Sequence, residues 1–302
     1  MKILICCNKR DFFLTRICVA SIRYYYPDVD IYILKDYLNG EFSSNELEKI
    51  WNIKVLDLGL RKYGWSAAKM HFLFSDFFPG EKVFVLDSDI VFAGRMLESL
   101  YETANNFDFT VNADFHDNPY DDWVSVHYYD YRHLKTIDPE FNFPGYFFNG
   151  GQVVVTTGKI TQEEVIDFFD LKYFPYWKAQ KFLPFVDQSL LNYVLPKKVQ
   201  NGELTVGKKQ FMIWSEGDLN RNLLLDKIKK GDEYDFIIHW AGALRIPYIA
   251  KMTRPDILSF FEEYYYSKVP MGHIKKRIRK IIPLFDFYLR RTYRFIKKLV
   301  KS

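Results

Sequence analysis

The sequence predicts an α/β fold: an open, mixed but mostly parallel sheet flanked by helices, with a basic amphipathic helical tail at its carboxyl end. Three observations predict it. Short unbroken apolar runs, such as Ile3 to Cys7 and Val83 to Leu86, read as strands buried on both faces, which is how parallel strands look. Segments of helical period follow them at short intervals, the alternation expected of such a sheet. Beyond Lys268 the composition changes abruptly to Lys/Arg interleaved with apolar residues.

Residues 2–7 form the first strand, and Asn8-Lys9-Arg10-Asp11 is a polar turn. A helix over 12–26 carries Leu14, Ile17, Cys18, Ser21 and Ile22 on one face and ends at Pro27-Asp28. Val29 to Leu34 is the second strand; a helix near 44–51 leads to a third, Ile53 to Leu58. Ser66 to Phe78 reads as a helix stopped by Pro79-Gly80. Strand 83–86, a helix near 95–104 and a strand from Phe107 to Val111 follow. Residues 112–146 have no clean period and hold Trp123, His127, Tyr128 and Tyr129 among several carboxylates; a sugar-binding wall and an ordinary surface excursion would both look like this. Phe147 to Thr156 returns to strand character. Helices over 161–171 and 187–194, short strands with turns over 197–213, a last strand Tyr234 to His239 and a helix near 254–266 complete the body.

The chain has 302 residues, of which 48% are hydrophobic, enough for a substantial core. With 28 Phe and 22 Tyr it is too aromatic for disorder. Cys6, Cys7 and Cys18 are odd in number and lack metal-ligand spacing, so they read as reduced core residues of a cytosolic protein. The apolar run at the amino end is too short for a signal peptide, and no stretch has the length of a membrane span. Net charge is +4, but Lys268 to Ser302 contributes +11, leaving −7 on residues 1–267. We therefore expect a catalytic-sized body over 1–267 and a separate basic tail over 268–302.

The chemistry centres on Leu86-Asp87-Ser88-Asp89, two carboxylates at the end of a buried strand. Such a pair is costly to bury unless a positive charge compensates it. A divalent cation that also holds a diphosphate is one solution, because hard cations bind phosphates through one or two carboxylates. An acidic turn after a strand is the other reading. In open sheets ligands bind beyond the carboxyl ends of strands. Asn8, after strand one, therefore falls on the same edge as the acid pair.

Three more motifs follow in order: Phe148-Asn149-Gly150-Gly151, Val186-Asp187-Gln188-Ser189, and His239-Trp240-Ala241-Gly242 with Arg245. Together the four resemble glycosyltransferase family 8, a GT-A fold group that includes bacterial lipopolysaccharide galactosyl- and glucosyltransferases. The resemblance runs from about residue 1 to 250. It implies that Asp87, Asp89 and His239 ligate a metal, normally manganese with magnesium as the alternative. It implies that Asn8, Lys69, Ser88, Gly242 and Arg245 lie against a UDP-sugar, with Asp87 reaching it through the metal. Lys69 stands where the family has an arginine that contacts the nucleotide. Asn149, Asp187 and Gln188 match positions beneath the transferred sugar, with Gln188 opposite the leaving group. Gly150 replaces the family's serine, and Ile246 is an extra residue in the last motif. Asp187 also has the look of a helix N-cap.

In the tail, Ile274, Ile278 and Ile281 share one helical face, and after Pro283 a second stripe holds Phe285, Tyr288, Leu289, Thr292 and Ile296. A basic amphipathic helix of this kind suits the interface of an anionic membrane; packing of the stripe on the body is the other option. No nucleic-acid-binding motif accompanies it. The expected protein is a metal-dependent retaining hexosyltransferase, peripheral on the inner face of the cell membrane, moving galactose or glucose from a UDP-sugar to a glycolipid such as lipopolysaccharide. An enzyme of the same fold with a protein or soluble glycan acceptor, a nucleotidyltransferase and a catalytically silent glycan-binding protein stay open from the sequence.

Overall fold

The computed structural model describes residues 1–58, 61–173, 176–242 and 248–299. The elements in chain order are β1 (Lys2–Asn8), α1 (Phe12–Tyr25), β2 (Ile31–Asp36), α2 (Asn45–Trp51), β3 (Ile53–Asp57), α3 (Trp65–Leu73), β4 (Lys82–Asp87), β5 (Ile90–Phe92) and α4 (Leu97–Ala104). Then come β6 (Phe109–Phe115), α5 (Asp122–His127), α6 (Tyr131–Ile137), β7 (Tyr146–Thr156), α7 (Val186–Gln200), β8 (Val206–Lys208) and β9 (Met212–Trp214). The chain closes with α8 (Asp218–Arg221), α9 (Leu225–Lys230), β10 (Ile237–His239), α10 (Pro255–Lys268) and α11 (Gly272–Leu299).

Among the described residues seven strands form one sheet in the order β3-β2-β1-β4-β7-β6-β8. The first four run parallel; β7 is antiparallel to both β4 and β6, and β8 pairs parallel with β6. This is the mixed, mostly parallel sheet expected. Its strands alternate between two cores. Ile3, Ile5, Phe84 and Leu86 face α1 and α10, while Leu4, Val83 and Val85 face α3 and α7. Burial on both faces is why these strands are continuous apolar runs. A second sheet, β5-β10-β9, holds three residues per strand and sits just past the end of β4.

Four expectations need correction. The helix over 161–171 is absent: Glu163–Val165 is a single 3-10 turn, and Phe169 bridges Trp177. Asp170 N–H donates to Tyr176 O and Lys178 N–H to Phe168 O, so a local hairpin takes the backbone groups a helix would need. The helix expected at 187–194 runs on to Gln200, because burial of Leu190, Leu191, Leu195 and Pro196 carries it past a residue that has no N–H to give. The helix expected to reach Phe78 ends at Leu73. Finally, 112–146 is partly regular: it holds the end of β6, then α5 and α6, capped by Asp121 and Asp130.

The tail is one helix that passes through Pro283, not two separated by it. Among the described side chains, Lys275, Lys276 and Arg279 face the body. Arg279 forks onto Glu46, Nη1 to Oε1 at 2.6 Å and Nη2 to Oε2 at 3.0 Å. Lys275 and the Tyr265 hydroxyl donate to the same carboxylate, and Lys276 pairs with Glu262 and Glu263. The apolar stripe faces outward: Ile274, Ile278, Ile281, Ile282, Phe285 and Leu289 are each at least half exposed. The option of a stripe packed on the body is therefore not what this helix adopts.

Burial alone would push the Glu46 carboxyl up; the hydrogen bonds from Arg279, Tyr265 and Lys275 outweigh it and hold it at about 2. A depressed carboxylate contributes stability that is complete above its ordinary value of 4.5 and is lost as pH falls through about 2. Docking of α11 should persist at pH 5 and weaken progressively below it. At neutral pH, Glu46→Gln should speed amide exchange in residues 272–280 by about tenfold, as loss of a charge-assisted bond predicts. Unchanged exchange would show that Glu46 does not hold the helix.

Candidate active site

The carboxyl edge of the sheet collects the polar side chains. β1 ends at Asn8, and its parallel neighbours end level with it: the register pairs Asn8 with Asp36 on β2, and Cys6 with Asp87 on β4. After Asp87 the chain turns at Ser88-Asp89 and enters β5. β10 runs antiparallel to β5 with His239 opposite Ile90, and Trp240 N–H donates to Asp89 O at 2.9 Å. That pairing puts the imidazole beside the acid turn although about 150 residues lie between them.

Ligand atoms of Asp87, Asp89 and His239 all lie within 4.8 Å of one another. His239 Nε2 is 3.2 Å from Asp89 Oδ1, and both side chains are buried. His239 Nδ1 is buried with no hydrogen-bond partner among the described residues. The imidazole stacks on Trp214, the residue beside it on β9, at 5.3 Å between centroids. Gly151 backs the cluster closely: a Cβ there would lie 2.6 Å from His239 Cε1 and 2.9 Å from Asp87 Oδ2. Two carboxylates and an imidazole form a donor set suited to a divalent transition metal, and the unsatisfied ring nitrogen marks a polar group still lacking a partner. The residues therefore fit a divalent cation. Burial pushes the Asp87 carboxyl up; Lys69 opposes this, while the neighbouring charges of Asp89 and Asp187 add to it.

Next to this cluster stand Asn149 on β7 and Asp187 and Gln188 in the first turn of α7. Gln188 is held at both ends of its amide: Oε1 accepts from Asn149 Nδ2 at 2.7 Å and from Gly150 N at 3.3 Å, and Nε2 donates to His127 O at 2.7 Å. Asn149 Oδ1 accepts from Gly151 N. A Cβ at Gly150 would meet the Gln188 backbone at 2.9 Å, which is the physical reason no serine stands there. Asp187 is not an N-cap; Phe185 holds that position, and the Asp187 carboxylate pairs with Lys69 at 2.6 Å.

The groups enclose a cleft of about 550 Å³, the size of a small-molecule site. Asn8, Ser88, Asp87, Asp89, Asn149, Asp187, Gln188 and Gly242 all line it, so the structure brings these expected residues together. Gly242 has φ +71° and open space where a side chain would be. Asn8 donates to Asp11 and accepts from Arg10 N and Asn39 Nδ2. Lys69 departs from expectation: it is 1% exposed, behind the wall rather than on it. Arg245 lies outside the described residues.

Of the aromatic segment, Trp123, His127 and Tyr128 reach the cleft, whereas Tyr129 and Tyr131 are core. Among the lining residues not anticipated from the sequence, Phe185, Trp214 and Asp36 bear most on ligand binding. Phe185 and Trp214 are aromatics at the mouth whose positions depend on tertiary packing. Asp36 is 2% exposed, with Oδ2 buried and unpartnered among the described residues. An acid at the carboxyl end of the second strand was the signal that could have found it.

No protein-family model and no curated protein matches the chain. Solved structures do. The bifunctional glycosyltransferase WbbM, in its apo form, superposes with a TM-score of 0.56 at 16% identity over 93% of this chain; the chain spans about half, 52%, of that protein. The galactosyltransferase LgtC, in complex with donor and acceptor sugar analogs, gives 0.53 at 17% identity over 91% of this chain and 100% of its own. An active-site mutant of LgtC gives 0.50 at 16% identity with the same coverage. The chain thus has the GT-A fold of these glycosyltransferases.

Because Gly151 leaves no room for a methyl group beside His239 and Asp87, Gly151→Ala should weaken binding of a divalent cation by about 10- to 100-fold, as displaced supporting groups do. Titration calorimetry with Mn2+ would check this. Wild-type affinity in the variant would mean that the three side chains do not share one ion.

Proposed function

We propose that the protein is a metal-dependent retaining hexosyltransferase that moves galactose or glucose from a UDP-sugar to a hydroxyl of a surface glycolipid such as lipopolysaccharide or lipooligosaccharide. The observation that carries this is the convergence of Asp87, Asp89 and His239 beside a cleft that Asp87, Asp89, Asp187 and Gln188 line together. Manganese, or magnesium in its place, would be held by the first three and would supply Lewis-acid stabilisation of the departing diphosphate.

The chain's own groups do the rest. The open backbone at Gly242 lets the phosphates approach. Asp187 offers the sugar hydroxyls a carboxylate from within the first turn of α7. Gln188 cannot swing, because both amide atoms are tied down. Its fixed carbonyl dipole faces the sugar as positive charge grows at the anomeric carbon, the kind of preorganised electrostatics that accelerates glycosyl transfer. An amide so engaged is a poor nucleophile. The acceptor then attacks from the face the diphosphate leaves, and the departing phosphate takes its proton. Asp11 and Asp36 beside Asn8 are at the end of the cleft suited to a nucleoside.

The exposed stripe of α11 supports attachment to an anionic membrane on the cytoplasmic side. No helix among the described residues is long and apolar enough to cross one.

Three measurements test this reading. Asp89→Ala should cut Mn2+-dependent hydrolysis of UDP-galactose or UDP-glucose by at least about 100-fold; full turnover would remove the metal assignment. Proton NMR of the first product formed should show the donor's own anomeric configuration, and an inverted product would rule out same-face attack. Ile278→Glu with Phe285→Glu should lower co-sedimentation with anionic vesicles by at least about tenfold, since burying each side chain is worth about 1.5–3 kcal/mol, while donor hydrolysis stays unchanged. Retained vesicle binding would place the contact elsewhere.

A further inference from the structure

Among the described residues Lys69, on α3, is the least exposed charged side chain, at 1%. An ammonium has three donors and no acceptor. Lys69 Nζ meets three acceptors, each from a different element: Gly150 O on β7 at 2.5 Å, Asp187 Oδ2 on α7 at 2.6 Å, and Asp87 Oδ1 at the end of β4 at 2.9 Å. Two hydrogen bonds and an ion pair engage the ammonium, and Lys69 is not among the residues that line the cleft.

We propose that Lys69 is a positioning residue, one that ties the cation-facing acid Asp87 to the sugar-facing acid Asp187 and never touches the nucleotide. The inference rests on the hexosyltransferase reading and assigns this lysine a different task from the nucleotide contact that the family resemblance implied. The ammonium takes Asp87 Oδ1, which leaves Oδ2 on the side of Gly151 and His239. It takes Asp187 Oδ2 in the same way, which fixes that carboxylate against β7. One side chain thus sets which oxygen each acid presents, and it sets the spacing between the metal subsite and the sugar subsite. The residue type follows from the geometry. Three acceptors on three elements suit a compact point charge, whereas a guanidinium spreads its donors in one plane and needs more room. Arginine at 69 would keep the charge and lose the arrangement.

The experiment compares wild type, Lys69→Arg and Lys69→Met. It reads thermal midpoint, Mn2+ affinity by the loss of free-ion paramagnetic resonance signal, UDP affinity without metal by calorimetry, and kcat and KM for UDP-sugar hydrolysis. Lys69→Arg should keep metal-free UDP affinity within about twofold of wild type. It should weaken Mn2+ by about 10- to 100-fold and lower kcat by about 100-fold, the usual effect of misplacing a reacting group by about an ångström. A direct nucleotide contact predicts the opposite: arginine would restore both affinities and turnover, and that result would overturn the proposal. If Lys69→Arg fails to fold, Lys69→Met is read by metal-free UDP affinity alone; a loss of about tenfold or more overturns the proposal, and a wild-type value supports it. The wild-type arm separates the two levels. Wild type that binds neither Mn2+ nor UDP sinks the transferase reading itself, whereas a binding-competent wild type matched by Lys69→Arg sinks only the role of the lysine.

Discussion

A single buried ammonium stands among acids that could not otherwise share one cleft. Asp87, Asp89 and Asp187 converge there, and Lys69 pairs directly with the first and the last. Burial alone would pull the Lys69 pKa down; the charges of Asp187 and Asp87 outweigh it and push it above the ordinary lysine value. Removing one partner of such a buried pair usually costs about 3–5 kcal/mol, because the remaining charge is left without compensation. Carboxylates this close also act on one another. Even at a surface-like effective dielectric, two unit charges 4 Å apart repel by about 4 kcal/mol. Asp87, Asp89 and His239 bring their ligand atoms within 4.8 Å of one another there, a donor set that fits a divalent cation.

The fold supplies this arrangement through two crossings. Parallel strands β1, β2 and β4 end level and deliver Asn8, Asp36 and Asp87 to one edge. The three-residue sheet then folds His239 back over the turn that holds Asp89. Two adjacent glycines on β7 make the closeness tolerable: Gly150 admits the backbone of α7, and Gly151 admits the imidazole and the acid. Sheet, helix and acid–imidazole cluster therefore share the same short segment, Asn149 to Gly151, and a change there is felt by both Gln188 and His239.

The central strands could be read from the sequence because each is apolar along its whole length, a consequence of being covered on both faces by α1, α10, α3 and α7. Asp87 and Asp89 were legible as a pair because two acids ending a buried strand need a reason. His239 entered only through the order of four motifs; nothing local in Ile237-Ile238-His239 says which turn it will cover, since β10 is too short to carry a pattern. Lys69 was legible as a residue near the site, but its three acceptors were not, because they lie well along the chain at residues 87, 150 and 187. The tail shows the same limit. Its period fixed the stripe, but Glu46, more than two hundred residues away, decides which face is turned to the body. Around Glu163 the apolar spacing imitated a helix, and the local antiparallel pairing of Phe169 with Trp177 won instead.

The most direct test is a crystal of the protein grown with Mn2+ and UDP and measured at the manganese absorption edge. The expected result is one anomalous peak with Asp87, Asp89 and His239 at bonding distance, about 2.0–2.2 Å, and a diphosphate oxygen on the same ion. An ion bound elsewhere, or one that Asp89 ligates without His239, would contradict the convergence on which the proposed chemistry depends.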